Sequence, residues 1–243
     1  MVLSPRRVHF HAQHKAMPVI GYLSSATPAA NIRQLPAFRA GLKETGWDEG
    51  QAVEYRWTED RYDQLPALAA DLVGRKVDVI LSTGGITGAL AAKNATSTIP
   101  IVFVSGDDPV ERGLVVSLAR PGGNLTGVSF LTGELMPKRL ELLSELVPDA
   151  KVMTLLIDPN NASAERVTRE MQQAAGVKGV QLRILSASTE SEIDAVFAAP
   201  LTGALVVSTD PYFYSRRRQL VTLASSHAVP AIYESASFEL KSV

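Results

Sequence analysis

Small polar residues follow several short apolar segments of this sequence, at the points where strands would end. In the first half of the chain they are hydroxyls and glycines, and in the second half mainly acids and amides. Glycines and hydroxyls between a strand and a helix expose backbone amides that hold anions, and carboxylates opposite them suit an ammonium group. The two sets together predict a site for a small zwitterion such as an α-amino acid. The candidate residues are Ser24, Ser82, Thr83, Gly84, Ser105, Asp108, Asn161, Asp210, Tyr212 and Glu234.

Some of these acids also have a purely structural interpretation. Asp108, Asp158 and Asp210 each precede a proline, and an aspartate followed by proline is a common start of a helix. All three could therefore be helix caps rather than ligand-binding residues, and the sequence leaves both interpretations open. Thr189 with Glu192 matches a capping box and is predicted to be structural.

The segment "VDVILSTGGITGAL" at 77–90 fits neither common nucleotide-binding motif. It lacks the lysine and spacing of a P-loop, and it departs from G-x-G-x-x-G and follows the third predicted strand, not the first. Catalysis is also disfavoured, because the chain has no cysteine and no G-x-S-x-G, and His227 is the only histidine in the part expected to fold. We therefore expect a binding protein without enzyme activity and without a cofactor.

Charge and composition exclude two classes of partner. The formal net charge is −1, so no overall field attracts nucleic acid, and the basic run Arg216–Arg218 is expected on a solvated helix face. No apolar run approaches the roughly 20 residues of a membrane-spanning helix. The polar segment 1–16 lacks the apolar stretch of a secretion signal and is predicted to be a disordered leader. The spacing of His9, His11 and His14 within it could recruit adventitious metal, but the favoured interpretation is a mobile leader without a metal site.

The order of predicted elements indicates parallel α/β architecture. Nine short apolar segments rich in Val and Ile, nearly continuous rather than alternating, are typical of strands buried on both faces. They lie at 18–25, 52–59, 77–83, 99–106, 124–130, 151–158, 180–187, 203–210 and 229–235. Helical periodicity separates several of them, as at 34–47, 64–76 and 138–147.

A turn-rich stretch, "ARPGGNLTG", divides the pattern into two halves. We therefore predict two Rossmann-like lobes with parallel sheets and a cleft between them. The expected boundaries are 17–121 for the first lobe, 122–150 for a crossover strand and helix, and 151–243 for the second lobe.

Three stretches carry a resemblance to a known family: "GLKETGW…EG", "TIPIVFV…DPV" and "SLARPGGNLTG". With their surroundings, from about Pro18 to Glu239, they resemble ABC transporter substrate-binding proteins of the tryptophan/tyrosine-binding type. The resemblance implies a type I periplasmic-binding-protein fold whose two lobes close over a ligand, here an amino acid. It also implies an ABC permease as partner, a monomer or weak dimer, and a periplasmic location.

The resemblance assigns roles to individual positions. Ser82, Thr83 and Gly84 match the turn that receives the ligand carboxylate, and Ser105 and Asp108 match the adjacent strand end. Asn161, Asp210 and Glu234 stand where the second lobe approaches the ammonium group. The aromatic candidates to pack on the ligand side chain are Tyr22, Phe130 and Tyr212.

The sequence departs from the family in two ways. It shows no signal peptide, which would make the protein cytoplasmic if the start is correct. It also ends where a further βα segment is expected, so we predict a truncated second lobe. These departures keep two alternatives open: a sensory or regulatory ligand-binding domain of the same fold, and a non-functional truncated paralogue. An α/β enzyme is the third possibility.

Overall fold

The computed structural model describes residues 18–32, 34–47, 53–59 and 61–235. The predicted leader, with its three histidines, lies outside these residues. The strands are β1 (Ile20–Ser24), β2 (Val53–Trp57), β3 (Val79–Thr83), β4 (Ile101–Ser105), β5 (Leu125–Ser129), β6 (Val152–Ile157), β7 (Gln181–Ser186), β8 (Ala204–Val207) and β9 (Ala231–Ile232). The helices are α1 (Gln34–Glu44), α2 (Leu65–Gly74), α3 (Ile86–Ala95), α4 (Met136–Leu146), α5 (Ala164–Lys178), α6 (Glu190–Ala198), α7 (Pro211–Ser215) and α8 (Arg217–Ser226).

The strands form two parallel sheets. Lobe 1 contains the order β2-β1-β3-β4-β5, and lobe 2 contains the order β7-β6-β8-β9. In each sheet the second strand along the chain lies on one side of the first strand and the later strands lie on the other side, as in doubly wound folds. All nine predicted strands are present, and the predicted α/β class with two Rossmann-like lobes is confirmed.

The core of lobe 1 lies mainly between its sheet and helices α2 and α3. Leu23, Ile80 and Ile101 from the sheet pack there against Leu72 and Ala89. Helix α1 differs, because none of its residues is fully buried. Its predicted apolar face, which carries Phe38, is only half buried.

Lobe 2 has a core on each face of its sheet. Successive residues of β6 point to opposite faces: Leu155 joins the cluster under α4 and α5, and Leu156 joins the cluster under α6, α7 and α8. Burial on both faces explains why these strands read as continuous apolar runs.

The chain passes from lobe 1 to lobe 2 in the short stretch between β5 and α4. Strand β5 pairs with β4 of the first sheet, whereas Met136 and Leu140 of α4 pack in the core of lobe 2. The crossover is therefore the segment 130–135, which ends in a 3-10 turn at Gly133–Leu135.

Local signals in the sequence correctly mark one helix start. Thr189 accepts a hydrogen bond from the Glu192 amide at 3.3 Å, as predicted. The Glu192 carboxylate also accepts a hydrogen bond from the Ser188 amide at 2.7 Å. Within the part of the chain that the structure describes, no helix is long and apolar enough to cross a bilayer.

Gly203, in the turn before β8, is a position where only glycine fits. Its φ is +85°, and an added Cβ would lie 1.9 Å from the carbonyl oxygen of Val152. We expect Gly203→Ala to lower the free energy of unfolding by about 2 kcal/mol or more.

Gly176, inside α5 with open space around it, is the matched control. Gly176→Ala should raise stability by about 0.5–1 kcal/mol. Urea denaturation of both variants measures the difference, and an unchanged midpoint for Gly203→Ala would contradict the expectation.

Candidate ligand-binding site

A cavity of about 850 Å³ lies between the two lobes, at the carboxyl ends of the strands. This is the position where open α/β sheets bind ligands, and the volume suits a small molecule. Lobe 1 contributes the ends of β1, β3 and β4 with the residues that follow them. Lobe 2 contributes the loops after β6 and β8 and the residues after β9.

The wall from lobe 1 contains the start of α3. Gly84 and Gly85 connect β3 to this helix with φ values of +80° and +94°. A Cβ on Gly84 would lie 2.4 Å from the Ser25 hydroxyl oxygen, which donates a hydrogen bond to the Gly84 carbonyl. The N-cap of α3 is Gly85, which has no side chain to cap the first turn of the helix. This wall therefore presents a helix N-terminus, a kind of site that favours an anion.

Asp210 dominates the wall from lobe 2. Its Oδ1 accepts hydrogen bonds from the Tyr212 amide at 2.7 Å and from the Tyr62 hydroxyl of lobe 1 at 2.9 Å. Its Oδ2 accepts from the Asn161 amide nitrogen at 2.6 Å. Asp210 thus caps α7, as the structural interpretation predicts, and it also lines the cavity. Its contact with a ligand stays a prediction.

Aromatic and aliphatic side chains form the remaining wall. Tyr22 faces the cavity and lies 5.4 Å from Phe38 between ring centroids. Phe130, which follows β5, lines the opening and is 67% exposed. Tyr214 of α7 lines the cavity from lobe 2. This part of the cavity suits an apolar or aromatic group.

Burial raises the pKa values of Asp210 and of the Tyr62 hydroxyl beside it. Burial, with the nearby charge of Asp158, raises the pKa of Asp210 to about 7, although hydrogen bonds from Asn161 and Tyr62 oppose the shift. Burial and the adjacent carboxylates also raise the pKa of the Tyr62 hydroxyl well above its usual value. Tyr62 therefore stays a hydrogen-bond donor throughout the physiological range.

Glu234, after β9, is a second acid on the cavity wall and is half-buried. Burial raises its pKa to about 7, and the charge of Arg139 partly opposes this shift. Arg139 is itself buried and donates a hydrogen bond to the Thr209 hydroxyl at 2.7 Å. It does not line the cavity.

The charge of the lining is one-sided. The carboxylates of Asp107, Asp210 and Glu234 line the cavity, and no lysine, arginine or histidine among the described residues does so. These three acids do not form a metal site: no group of three metal-ligating side chains is found in the described ranges. The lining favours a ligand with a positively charged group and disfavours one with net negative charge.

Six of the ten predicted site residues line this cavity, together with the aromatic candidates Tyr22 and Phe130. The six are Thr83, Gly84, Ser105, Asn161, Asp210 and Glu234. The structure brings them together from both lobes. Their contacts with a ligand remain a prediction.

Ser24 and Ser82 do not line the cavity, although both end a strand. Ser24 is fully buried, and its hydroxyl accepts a hydrogen bond from the Ala26 amide at 3.3 Å. Ser82 points to the opposite face of the sheet from Thr83, because side chains alternate along a strand. It lies beneath α3, where a Cβ on Gly88 would be 3.0 Å from its hydroxyl oxygen.

Asp108 and Tyr212 also lie away from the cavity. The Asp108 carboxylate accepts from the amides of Val110 and Glu111 in a turn. No helix begins there among the described residues, so the helix-cap interpretation of Asp108 is wrong, although its role is structural. Tyr212 is 2% exposed and packs in the core of lobe 2 beside Phe213. Tyr214, two residues later, lines the cavity instead.

Sequence reasoning missed several lining residues. Asp107 directly precedes Asp108, so the strand end was identified but the wrong acid was chosen. Three further lining residues lie in or just before α1: Asn31, Gln34 and Phe38. The only feature that indicates them is the half-buried position of this helix, which the structure shows. Nothing in the sequence links Tyr62 to a partner 148 residues away.

The raised pKa of Glu234 predicts a pH-dependent stability. The group titrates near 4.5 when unfolded and about 7 when folded, so the folded state binds its proton more tightly. The free energy of unfolding should therefore fall as the pH rises through this window. Between pH 5.5 and pH 8, the free energy of unfolding of Glu234→Gln should therefore fall by about 1–2 kcal/mol less than that of the parent chain. Thermal denaturation at both pH values measures it, with Glu165→Gln, at an exposed position of α5, as control. Equal pH dependence in both variants would contradict the assignment.

Known proteins of the same architecture resemble this chain over most of its length. The tyrosine-binding protein of Clostridioides difficile (strain R20291) is 28% identical over 200 residues, which are 80% of this chain and 57% of that protein. The chain thus spans little more than half of that relative. A conserved domain protein from Vibrio cholerae superposes with a TM-score of 0.78 at 24% identity, over 91% of this chain and 75% of that chain.

The ABC domain from Streptococcus pneumonia in complex with L-Trp superposes with a TM-score of 0.73 at 20% identity, over 91% of this chain and 75% of that chain. At these identities the two structures establish the fold alone. A family model described as ABC transporter substrate binding protein matches residues 29–240, which is most of the sequence. This chain, with its two parallel lobes and the cavity between them, belongs to the family of ABC transporter substrate binding proteins.

Proposed function

We propose that this protein binds a small zwitterionic solute, an α-amino acid with an apolar or aromatic side chain, in the cavity between its lobes. It acts as the solute-binding component of an ABC transporter. The observation that carries this proposal is the opposite polarity of the two walls. A helix N-terminus lies on one side, carboxylates lie on the other, and no basic side chain lines the space between them among the described residues.

Each part of the ligand has a matching part of the cavity. The ligand carboxylate binds at the start of α3, near Thr83 and Gly84, where the helix dipole favours an anion. The ammonium group binds on the lobe 2 side, near Asp210 and Glu234. The ligand side chain packs against Tyr22, Phe38 and Phe130.

The two acids of lobe 2 on this wall favour a cation in this position. Because burial raises the pKa of Asp210 and Glu234 to about 7, an ammonium group that approaches them would stabilise their ionised forms. An acidic ligand would instead face carboxylates without a compensating lysine or arginine. The lining thus supports amino acids with neutral or basic side chains over aspartate and glutamate.

The family supports the wider role. Its members are substrate binding proteins of ABC transporters, and one relative is a tyrosine-binding protein. A superposable ABC domain is in complex with L-Trp. By analogy we propose an ABC permease as the partner and a location outside the cytoplasm, with the protein delivering its ligand and catalysing no reaction.

The first experiment is a thermal-shift screen with the amino acids, extended by two compounds that each lack one charge. L-tryptophan should raise the melting temperature with concentration, as expected from RT ln(1 + [L]/Kd), about 2.7 kcal/mol at a hundredfold excess over Kd. Tryptamine lacks the carboxylate and indole-3-propionate lacks the amine, so both should bind at least tenfold more weakly. L-glutamate should give no shift.

Two outcomes would contradict the proposal. If no amino acid shifts the transition of a folded sample, the ligand class is wrong. If indole-3-propionate binds as tightly as L-tryptophan, the carboxylates of lobe 2 do not recognise an ammonium group.

Phe130 tests the apolar part of the cavity. Since its ring is 67% exposed, Phe130→Ala should leave the melting temperature without ligand nearly unchanged. It should weaken L-tryptophan binding about fivefold, close to 1 kcal/mol. Calorimetric titration measures this, with Leu146→Ala as control, because Leu146 is 76% exposed and lies outside the cavity. Equal affinities in both variants would place the indole elsewhere.

A further inference from the structure

A polar contact between the lobes surrounds Asp107. This residue follows β4 and lines the cavity from lobe 1. Its Oδ1 accepts hydrogen bonds from two lobe 2 residues at the start of α5: from the Ser163 hydroxyl at 2.7 Å and from Arg166 Nη2 at 3.0 Å. One carboxylate oxygen of the cavity wall therefore binds directly to the opposite lobe.

Arg166 is held firmly in this position. Its side chain is only 9% exposed, although it carries a charge. Nη1 contacts the Glu170 carboxylate at 2.7 Å and the Glu134 carboxylate, on the crossover, at 3.2 Å. A buried guanidinium surrounded by carboxylates is retained only where its pairs have good geometry. Arg166 thus joins lobe 1, the crossover and α5 at one point.

The backbone leaves space for this guanidinium. Gly133, on the crossover, is buried, and a Cβ there would lie 3.2 Å from Arg166 Nη2 and 3.4 Å from Asp107 Oδ1. A larger residue at Gly133 would press on the ion pair. The glycine therefore allows the crossover to pass directly over the contact.

The loop before α5 is bound to lobe 1 a second time. The Ala162 amide donates to the Thr87 hydroxyl of α3 at 3.2 Å, and its carbonyl accepts from the Arg112 guanidinium. With the Asp107 contacts, the start of α5 and the loop before it contact three residues of lobe 1: Asp107, Thr87 and Arg112. We call the set Asp107, Ser163 and Arg166 the clasp.

We propose that Arg166 is a positioning residue that holds the two lobes closed and thereby sets how slowly a ligand leaves the cavity. The dissociation part of this inference rests on the proposed binding function. Arg166 does not line the cavity and would not contact a ligand there. Its effect acts through Asp107 and the relative position of the lobes.

The clasp should affect release more than capture. The lobes must separate before an enclosed ligand can leave, and separation breaks a buried ion pair and the hydrogen bond from Ser163. Ligand capture begins from separated lobes, where these bonds are already broken. Removing the clasp should therefore speed dissociation with little change in association.

The test uses Arg166→Gln, with Arg166→Lys as the conservative variant that keeps the charge. Ser163→Ala removes one clasp hydrogen bond with a small change in volume. Arg169→Gln is the matched control, since it removes the same charge from an exposed position of the same helix. Melting temperatures of all variants establish that each one folds.

The position of the lobes is measured without a ligand. The chain contains no cysteine, so spin labels attach only to introduced ones. Asn94→Cys on α3 and Ala195→Cys on α6 are exposed positions on the two lobes. Double electron–electron resonance should give a narrow distribution of the distance between the two spin labels in the parent chain and in Arg169→Gln. The distribution should be broader or shifted in Arg166→Gln, with Ser163→Ala and Arg166→Lys in between.

Ligand kinetics give the second measurement, with L-tryptophan as the probe. Arg166→Gln should increase the dissociation rate about tenfold, equivalent to about 1.4 kcal/mol, with association changed less than threefold. Unchanged distance distributions in folded Arg166→Gln and Ser163→Ala would overturn the proposal. So would a loss of affinity that lies in the association rate. If L-tryptophan does not bind the parent chain, the proposed function fails, and the distance measurement still decides whether the clasp holds the lobes.

Discussion

The carboxylate of Asp210 is buried where the two lobes meet, and the arrangement of the site depends on how that charge is accommodated. A buried carboxylate needs hydrogen-bond donors, and its donors here come from three elements: the first turn of α7, the Asn161 loop and Tyr62 of lobe 1. Because all three donors bond the same carboxylate, the local structure of lobe 2 and its contact with lobe 1 depend on each other. A residue that caps a helix therefore also sets the cavity geometry.

The same burial explains the chemistry of the cavity. Carboxylates that lie close together and away from water favour their protonated forms, unless a cation lies beside them. Here the basic groups, Arg139 and Arg166, stand behind the wall and not in it. These two guanidinium groups offset the negative charge of the lining only in part, so the side of the wall that faces the cavity stays acidic. The N-terminus of α3, on the facing wall, supplies the opposite polarity from backbone groups alone. Recognition of both ends of the zwitterion that we propose would then need few side chains.

Much of the fold, and about a third of the residues that line the cavity, could be predicted from the sequence. Continuous apolar runs identified all nine strands, and the strand ends located the cavity. Individual side chains were harder, because a strand end does not reveal which of two neighbours faces inward. Ser82 and Thr83 differ only in the phase of β3, and Tyr212 and Tyr214 differ only in the phase of the short helix α7. Contacts such as that of Tyr62 depend on how two lobes approach each other, which no local pattern encodes.

The path of the chain between the lobes has a further consequence. Within the described residues, a single stretch of about six residues, 130–135, connects two hydrophobic cores that share no strand. Each lobe then has the parts of an independent folding unit, and the cooperativity between them comes from a thin, largely polar boundary. The lobes could melt one after the other when that boundary is weak, and a molecule bound to both would merge the two steps into one. The sharpness of unfolding, rather than its temperature alone, would then report how strongly the halves are coupled.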